Sequence, residues 1–341
     1  MNNPTHSPVL ITGGAGYIGS HAMLALLDQG RDAVVVDDLS TGRRGAVPDS
    51  VPFYEGNVDD GALIARIINE HGCRAVMHFA GFIIVPESVE KPLEYYQNNV
   101  VRSAQLLRAC LDNGIERFVF SSTAAVYDGD GAGERPLAED AVLAPANPYG
   151  RSKLMTEWML RDIAAATGLR VAVLRYFNVA GADGAGRSGQ FSKVTSHLIK
   201  RACQTVLGLQ PHMDVFGDDY ATPDGTCVRD YIHVSDLAQA HLAVLDHLSE
   251  NAGTVTMNCG YGHGYSVTQV LDVVDQVAGE MLGAEPMQRR PGPRRQGDAA
   301  SLVADTSQIR QTLNWQPKHD DLAVIAASAL AWEKRLMDGT D

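Results

Sequence analysis

The segment Thr12-Gly-Gly-Ala-Gly-Tyr-Ile-Gly19 decides the reading of this chain. It follows a short apolar run, Val9 to Thr12, and opens an amphipathic stretch from about Tyr17 to Gln29 that Gly30 stops. Its glycines fit GxGxxG through Gly14, Gly16 and Gly19, and GxxGxxG through Gly13, Gly16 and Gly19. Without Cβ atoms the backbone turns tightly and approaches a pyrophosphate, and the helix start adds free N–H groups and a partial positive charge. A lone GxGxxG is a weak signal. Here the strand before it, the helix after it and Asp37 at the end of the next apolar run (Ala33 to Asp37) make it strong. Asp37 lies 18 residues past Gly19, near the ~20 expected of a carboxylate that accepts from the adenosine ribose hydroxyls. Such a carboxylate repels a 2′-phosphate, so NAD is expected; Arg43 and Arg44 are the feature that keeps NADP open.

Outward from this segment, short apolar runs alternate with helical stretches. Ala75 to Phe79 reads as a strand, Pro92 to Asn113 as a helix stopped by Gly114, and Arg117 to Ser122 as a further strand. Asn147 stands where an N-cap belongs, with Pro148 as first helical residue, and the helix runs to about Thr167 before Gly168; Arg170 to Leu174 is one more strand. Continuous apolar strands separated by helices mark a parallel sheet covered on both faces. The expected fold is α/β, a doubly wound parallel-sheet Rossmann fold with a smaller C-terminal substrate lobe. Residues 1–176 form the dinucleotide-binding part, with 229–260 expected to return to it through a helix at 235–249 and a strand at 254–258. Residues 177–228 and 261–341 form the smaller lobe, whose loops 181–191, 217–227 and 286–297 are rich in Gly, Asp, Ser, Pro and Arg.

Composition narrows the functional classes. The 341 residues are 45% hydrophobic and 20% charged, enough to bury a full core. With 28 Lys and Arg against 41 Asp and Glu, the net charge of −13 argues against nucleic acid as a partner. An anionic small substrate would need a local cluster of arginines. The five cysteines (73, 110, 203, 227 and 259) are scattered, odd in number and free of CxxC spacing, so a reducing cytoplasm is expected rather than a disulfide framework. The longest apolar stretch, near 322–332, is well short of the ~20 residues of a membrane span. The N-terminus shows no secretory signal pattern, and neither a membrane nor a metal is expected to take part.

Tyr149-Gly-Arg-Ser-Lys153 lies on the first turns of the helix that begins at Pro148, so i, i+4 spacing puts phenol and ammonium on one face. A phenol with its usual pKa of ~10 is a poor base at neutral pH. A fixed Lys153 cation beside an oxidised nicotinamide would favour the phenolate. Thr123 ends the strand at the carboxyl edge, where such sheets hold their ligands, and its hydroxyl can relay a substrate proton. By itself YxxxK is a poor motif, because Tyr and Lys on one helix face are usually core edge and solvated charge.

Together these segments resemble the extended short-chain dehydrogenase/reductases, and among them the sugar-nucleotide 4-epimerases. The most specific stretches are His78-Phe-Ala-Gly81, Glu87-Ser-Val89, Lys91 to Tyr96 with Asn98-Asn-Val100, Pro148 to Met155, Leu174 to Asn178, Asp224-Gly-Thr226 with Val228 to Val234, and Arg295 with Asp298. The resemblance runs from about residue 9 to 335. It implies reversible C4 epimerisation of a UDP-hexose, UDP-galactose or UDP-glucose, through a 4-keto intermediate with tightly bound NAD. Tyr149 would be the base, with Thr123 and Lys153 its helpers. Gly13, Gly16, Tyr17, Ile18, Gly19, Asp37, Asp38, Asn57, Val58, Phe79, Ala80, Gly81, Asn98, Tyr149, Lys153 and Phe177 map to the cofactor. Thr123, Tyr149, Asn178, His197, Leu198, Val215, Phe216, Arg229, Tyr231, Arg295, Asp298 and Leu302 map to the UDP-sugar. A guanidinium fork suits a diphosphate, whereas Arg289, Arg290 and Arg294 read better as solvated loop residues.

Departures from the family pattern bear on the sugar. Ile83 replaces a frequent Lys, Asn57 a frequent Asp, Asp128 a usual Gly, His197 an Asn and Lys200 a common Pro. Leu302 stands at the position that gates N-acetylated sugars, so UDP-N-acetylhexosamines remain open, as do UDP-pentoses (UDP-xylose and UDP-arabinose). A nucleotide-sugar dehydratase would need an acid and a base beside Thr123, and Ala124-Ala125 transfer no protons. A non-catalytic NAD sensor would usually lack the Tyr or the Lys. Helices 92–113 and 147–167 resemble a pair that joins family members as homodimers; Leu106, Leu107, Trp158 and Met159 are either that face or ordinary core.

Overall fold

The structure, a computed structural model, describes residues 7–128, 135–192, 196–251, 253–295 and 298–339. In chain order its strands are β1 Val9–Thr12, β2 Ala33–Asp37, β3 Phe53–Glu55, β4 Ala75–His78, β5 Arg117–Thr123, β6 Arg170–Tyr176, β7 Asn178–Ala180, β8 Met213–Phe216, β9 Val228–Arg229, β10 Tyr231–His233, β11 Thr254–Cys259, β12 Tyr265–Ser266, β13 Arg289–Gly292 and β14 Ser301–Leu302. The helices are α1 Tyr17–Asp28, α2 Gly61–His71, α3 Val85–Glu90, α4 Pro92–Tyr96, α5 Arg102–Asp112, α6 Pro148–Thr167, α7 Leu198–Val206, α8 Val234–Glu250, α9 Val267–Leu282, α10 Ser307–Leu313 and α11 Leu322–Met337.

The apolar runs of the first half become strands because both of their faces are covered; β1, β2 and β4 are buried throughout. They form a seven-stranded sheet in the order β11-β6-β5-β4-β1-β2-β3. The pairs β1–β2, β1–β4, β2–β3 and β4–β5 are parallel. Strand order reverses between β1 and β4, the switch point at which doubly wound sheets bind ligands beyond their carboxyl ends. One core joins Leu10, Val34 and Val36 of the sheet to Ile64, Ile67 and Ile68 of α2 and to Leu106, Leu107 and Cys110 of α5. Leu106 and Leu107 are therefore core residues and not part of an outer face. At one end of the sheet β11 lies beside β6.

The stretch read as one helix over Pro92 to Asn113 is three pieces: α4, a π-helical turn over Gln97–Val101, and α5. The extra residue turns Asn99 inward, where its amide accepts from Phe82 N (2.8 Å) and donates to Phe82 O (3.0 Å). By contrast, α6 is bounded as its residues dictate. The Asn147 side chain accepts from Gly150 N, and Gly168 takes the left-handed conformation (φ +76°) that closes the helix.

By contact density the chain divides into two units: residues 1–126, 147–175 and 238–257, and residues 127–146, 176–237 and 258–341. They are nearly equal in length, because the second takes in 127–146 and 229–237, segments read from the sequence as part of the dinucleotide-binding half. Within the second unit β7 pairs with β10, β8 with β13, and β9 lies between β12 and β14. There α9 opens with a capping box of Ser266 and Gln269. A buried ion pair, Lys200 to Glu333, ties α7 to α11.

Candidate active site

The glycine loop leaves β1 with Gly13 at φ +70°, where a Cβ would lie 2.6 Å from Ala80 N. A Cβ on Gly19 would stand 2.2 Å from Gly13 O. Neither position admits a side chain, so bare backbone faces the space above the start of α1. Gly16 caps that helix without a side chain, so its first N–H groups are left for a ligand. The Asp37 carboxylate is buried beside the loop and accepts from Ala15 N and Leu39 N, each at 2.9 Å. Burial raises its pKa and the two N–H bonds oppose that rise. Asp38 accepts from Asn57 Nδ2 (3.2 Å), bringing two further expected cofactor residues together. Arg44 is engaged elsewhere: its guanidinium donates to Val47 O (2.6 Å) and lies over the Phe53 ring (4.8 Å). A glycine cradle with an anchored carboxylate fits the diphosphate and ribose of NAD.

Past β4, Phe79, Ala80 and Gly81 run along the same edge, and Phe79 packs on His241 (4.8 Å between centroids). Val58 is buried in the core of the first unit. Tyr17 and Ile18 open α1. Asn98 accepts from Arg102 (2.8 Å) and donates to Asn99 (3.1 Å).

Thr123 ends β5, and its Oγ1 accepts from Ala125 N (3.1 Å). Tyr149 and Lys153 lie on the first turns of α6, at 6% and 3% exposure. The Lys153 ammonium donates to Ser121 O (3.0 Å) and stands 4.9 Å from the centre of the Phe120 ring. Burial pushes its pKa down to about 8, and the Glu157 carboxylate one turn later works against that fall. Asn99 ties α6 to the π turn: its amide donates to Ser152 Oγ (3.0 Å), Ser152 donates to Tyr149 O (2.7 Å), and Thr156 donates to Asn99 O (3.0 Å).

A second chain of bonds runs under the site. Ser103 gives its hydrogen to Asn99 O (2.8 Å), so it accepts from His78 Nε2 (2.9 Å), and His78 Nδ1 accepts from Thr12 Oγ1 (2.6 Å). Burial, helped by the Lys153 cation, pushes His78 down to about 3, so the ring is neutral at physiological pH.

Apart from Thr123 and Tyr149, the residues mapped to the UDP-sugar lie in the second unit. Arg295 lies over the Phe216 ring at 4.0 Å, and Val215 precedes Phe216 on β8. Arg229 reaches Asp298 (3.5 Å), and the β9–β14 register sets Leu302 opposite Arg229. His197 precedes Leu198 at the start of α7, accepts at Nδ1 from Gln190 (2.9 Å), and is pushed down to about 4 by burial and by the Lys200 cation. Tyr231 is buried opposite Asn178 in the β7–β10 pair, while Phe177 just before β7 is buried and donates its N–H to Cys259 O (3.4 Å). Arg289, Arg290 and Arg294 are ion-paired with Asp272 and Asp275, with Asp214 and with Asp219.

A glycine cradle at the switch point of a doubly wound sheet, with Thr, Tyr and Lys on the adjoining strand end and helix, defines a dinucleotide-dependent enzyme that moves a proton and a hydride together. The chain belongs to the NAD dependent epimerase/dehydratase family, whose profile matches residues 9–260. It is 57% identical over 329 residues to a UDP-glucose 4-epimerase of Azospirillum brasilense, covering 96% of this chain and 92% of that protein. Its fold matches a UDP-glucose-4-epimerase of Stenotrophomonas maltophila with bound NAD and formylated UDP-arabinopyranose, at TM-score 0.93 and 38% identity over 98% of this chain and 100% of that one. It also matches the UDP-Glc/GlcNAc 4-epimerase of Campylobacter jejuni at TM-score 0.83 and 43% identity, over 96% and 99% of the two chains.

Three features of the site went unread in the sequence: the Asn99 hub, the neutral His78, and the buried pair Glu157–Arg175. Asn99 and His78 sit in quoted motif segments. Glu157 carried a signal of its own, a charge four residues beyond Lys153 on the same helix face.

Proposed function

We propose that this protein interconverts UDP-galactose and UDP-glucose by inverting C4 of the hexose through a 4-keto intermediate, with NAD held throughout. The observation that carries this reading is the placing of Thr123, Tyr149 and Lys153 at the carboxyl edge of the sheet whose glycine loop fits the dinucleotide. When bound, NAD supplies the acceptor and later the donor of the C4 hydride. Tyr149 takes the proton of the C4 hydroxyl, with Thr123 as its hydrogen-bonding relay, and gives it back after the sugar has turned about its diphosphate linkage. The buried Lys153 cation favours the phenolate during that exchange. Arg229 and Arg295 supply the cations a diphosphate requires in a chain of net charge −13.

The test is to incubate the purified protein, with no cofactor added, with UDP-galactose, UDP-GalNAc and UDP-arabinose separately. Turnover of the first supports the reading; turnover of another alone moves the assignment to that sugar. N-acetylhexosamines form the second reading, favoured by the mid-sized Leu302 beside Arg229 and by the likeness to the C. jejuni enzyme.

The same reading places the protein in galactose metabolism in the cytoplasm, which agrees with five buried, unpaired cysteines. No helix among the described residues is long and apolar enough to cross a membrane. A homodimer is part of the proposal. Val89, Leu93, Val101, Met155 and Trp158 are exposed on α3, α4, the π turn and α6, elements packed side by side, and such an apolar patch calls for a cover. A monomer by light scattering at micromolar concentration would refute that assembly.

A further inference from the structure

Glu157 lies one turn beyond Lys153 on α6 and is almost wholly buried, as is its partner Arg175 on β6. Arg175 Nε donates to both carboxylate oxygens (3.2 Å each) and Nη2 donates to Oε2 (2.7 Å). Oε1 accepts in addition from the Ser122 hydroxyl. Ser122 stands between Ser121, whose carbonyl receives the Lys153 ammonium, and Thr123. One carboxylate thus grips the strand end midway between the two residues that face the chemistry.

We propose that Glu157, clamped by Arg175, is a positioning residue for the proton relay: it fixes the Ser121–Thr123 strand end and sets a carboxylate one helical turn from the Lys153 ammonium. The inference rests on the epimerase reading for its kinetic consequences, but its charge argument concerns this chain's residues alone.

Stability is a weak reason to bury such a pair, since apolar residues of equal volume usually serve a core as well. The charge has a use that an apolar pair lacks. The groups that face Lys153 are Tyr149 and Glu157 on its own helix, neutral His78 on β4, and the Ser121 carbonyl and Phe120 ring on β5. Of these, Glu157 is the one whose charge raises the lysine pKa against burial. Arg175, with three hydrogen bonds to that carboxylate, fixes where the charge sits.

The test uses the NAD-loaded enzyme without substrate. The ionisation of Tyr149 is followed by tyrosinate absorbance against pH, with Tyr149→Phe as the blank. The dependence of kcat on pH with UDP-galactose is measured alongside. Glu157→Gln removes the charge. The double variant Glu157→Met/Arg175→Met removes it without stranding a buried arginine, so one folded variant remains for the test. Loss of the charge is expected to move the alkaline fall of kcat down by about one pH unit and to raise the Tyr149 midpoint, with KM changed less than kcat. Ser122→Ala keeps the charge, so its expected result is a lower kcat with an unmoved midpoint. If the double variant folds, retains NAD and superimposes on the wild type in both titrations, the positioning role is overturned. It is equally overturned if Ser122→Ala shifts the midpoint as far as the double variant. A shifted tyrosinate midpoint in the double variant, with a wild type that converts none of the three UDP-sugars, would leave the charge argument standing and defeat the epimerase reading instead.

Discussion

The replacement Lys153→Met offers a measurable separation of stability from activity. Burial pushes the lysine from its ordinary 10.5 to about 8. At about 1.4 kcal/mol per pH unit, that interval corresponds to about 3 kcal/mol by which the folded state is penalised for carrying the buried cation. Below pH 8 both the folded and unfolded chains hold the proton, and the whole penalty is present. Between about pH 8 and 10.5 the folded protein releases a proton that the unfolded chain keeps, so wild-type stability rises by about 1.4 kcal/mol per unit. Above 10.5 the penalty is gone. The methionine variant never carries it, but leaves Ser121 O without its donor at every pH, a loss of about 1–3 kcal/mol. The expected result is therefore a pair of crossing curves: the variant matches or exceeds the wild type at pH 7 and falls below it near pH 10. Urea unfolding midpoints of the cofactor-stripped proteins at four pH values between 7 and 10 read this directly. Parallel curves would show that Lys153 is not desolvated as the geometry demands. The same variant is expected to lose conversion of UDP-galactose at every pH.

Tyr149→Phe removes the proton acceptor while leaving the cradle intact; conversion is expected to fall by at least the ~10²–10⁴-fold of a lost general base, with NAD still bound by absorbance and fluorescence. Gly19→Ala would place a Cβ 2.2 Å from Gly13 O, so the purified variant is expected to carry little or no NAD; a full complement of cofactor would show that the loop is not its cradle. Lys200→Met strands the Glu333 carboxylate in the second unit and is expected to cost about 3–5 kcal/mol in urea unfolding, most of it recovered by adding Glu333→Met. Arg229→Ala removes a cation without touching the proton relay, so KM for the UDP-sugar is expected to rise at least tenfold with a smaller change in kcat.

The legible parts of the fold were those whose cause is local. Asn147, Pro148 and Gly168 each do a job at α6 that depends on the nearest four residues, and both ends of that helix fall where the sequence sets them. The buried strands announce themselves because a run covered on both faces has no polar alternation. What escaped was tertiary in origin. The π turn exists because Asn99 meets the backbone of Phe82, 17 residues earlier, and no periodicity in Pro92–Asp112 reports that meeting. Leu106 and Leu107 carry the pattern of any amphipathic helix, which does not tell a core face from a dimer face. Glu157 and Arg175 are 18 residues apart, and Lys200 and Glu333 are 133 apart, so each charge reads as surface until its partner is seen. The glycine loop was legible because backbone geometry there dictates glycine, whereas Arg229 and Arg295 were told apart from Arg289, Arg290 and Arg294 by the family resemblance, since a loop arginine by itself reads alike whether it meets a ligand or, as Arg289 does, two aspartates.

The turn at Gln97–Val101 also limits how this gene can drift. A π turn holds one residue more than its α-helical equivalent, so deleting any one codon in it would restore an ordinary helix with the flanking turns kept nearly in register, and only the residues inside the turn would change bearing. Asn99 would then lose its bearing on Phe82, and the two hydrogen bonds of that clasp would open. Descendants are free to alter side chains on the outer face of this segment but not its length, and an alignment gap here would mark a protein that has given up the Asn99 clasp.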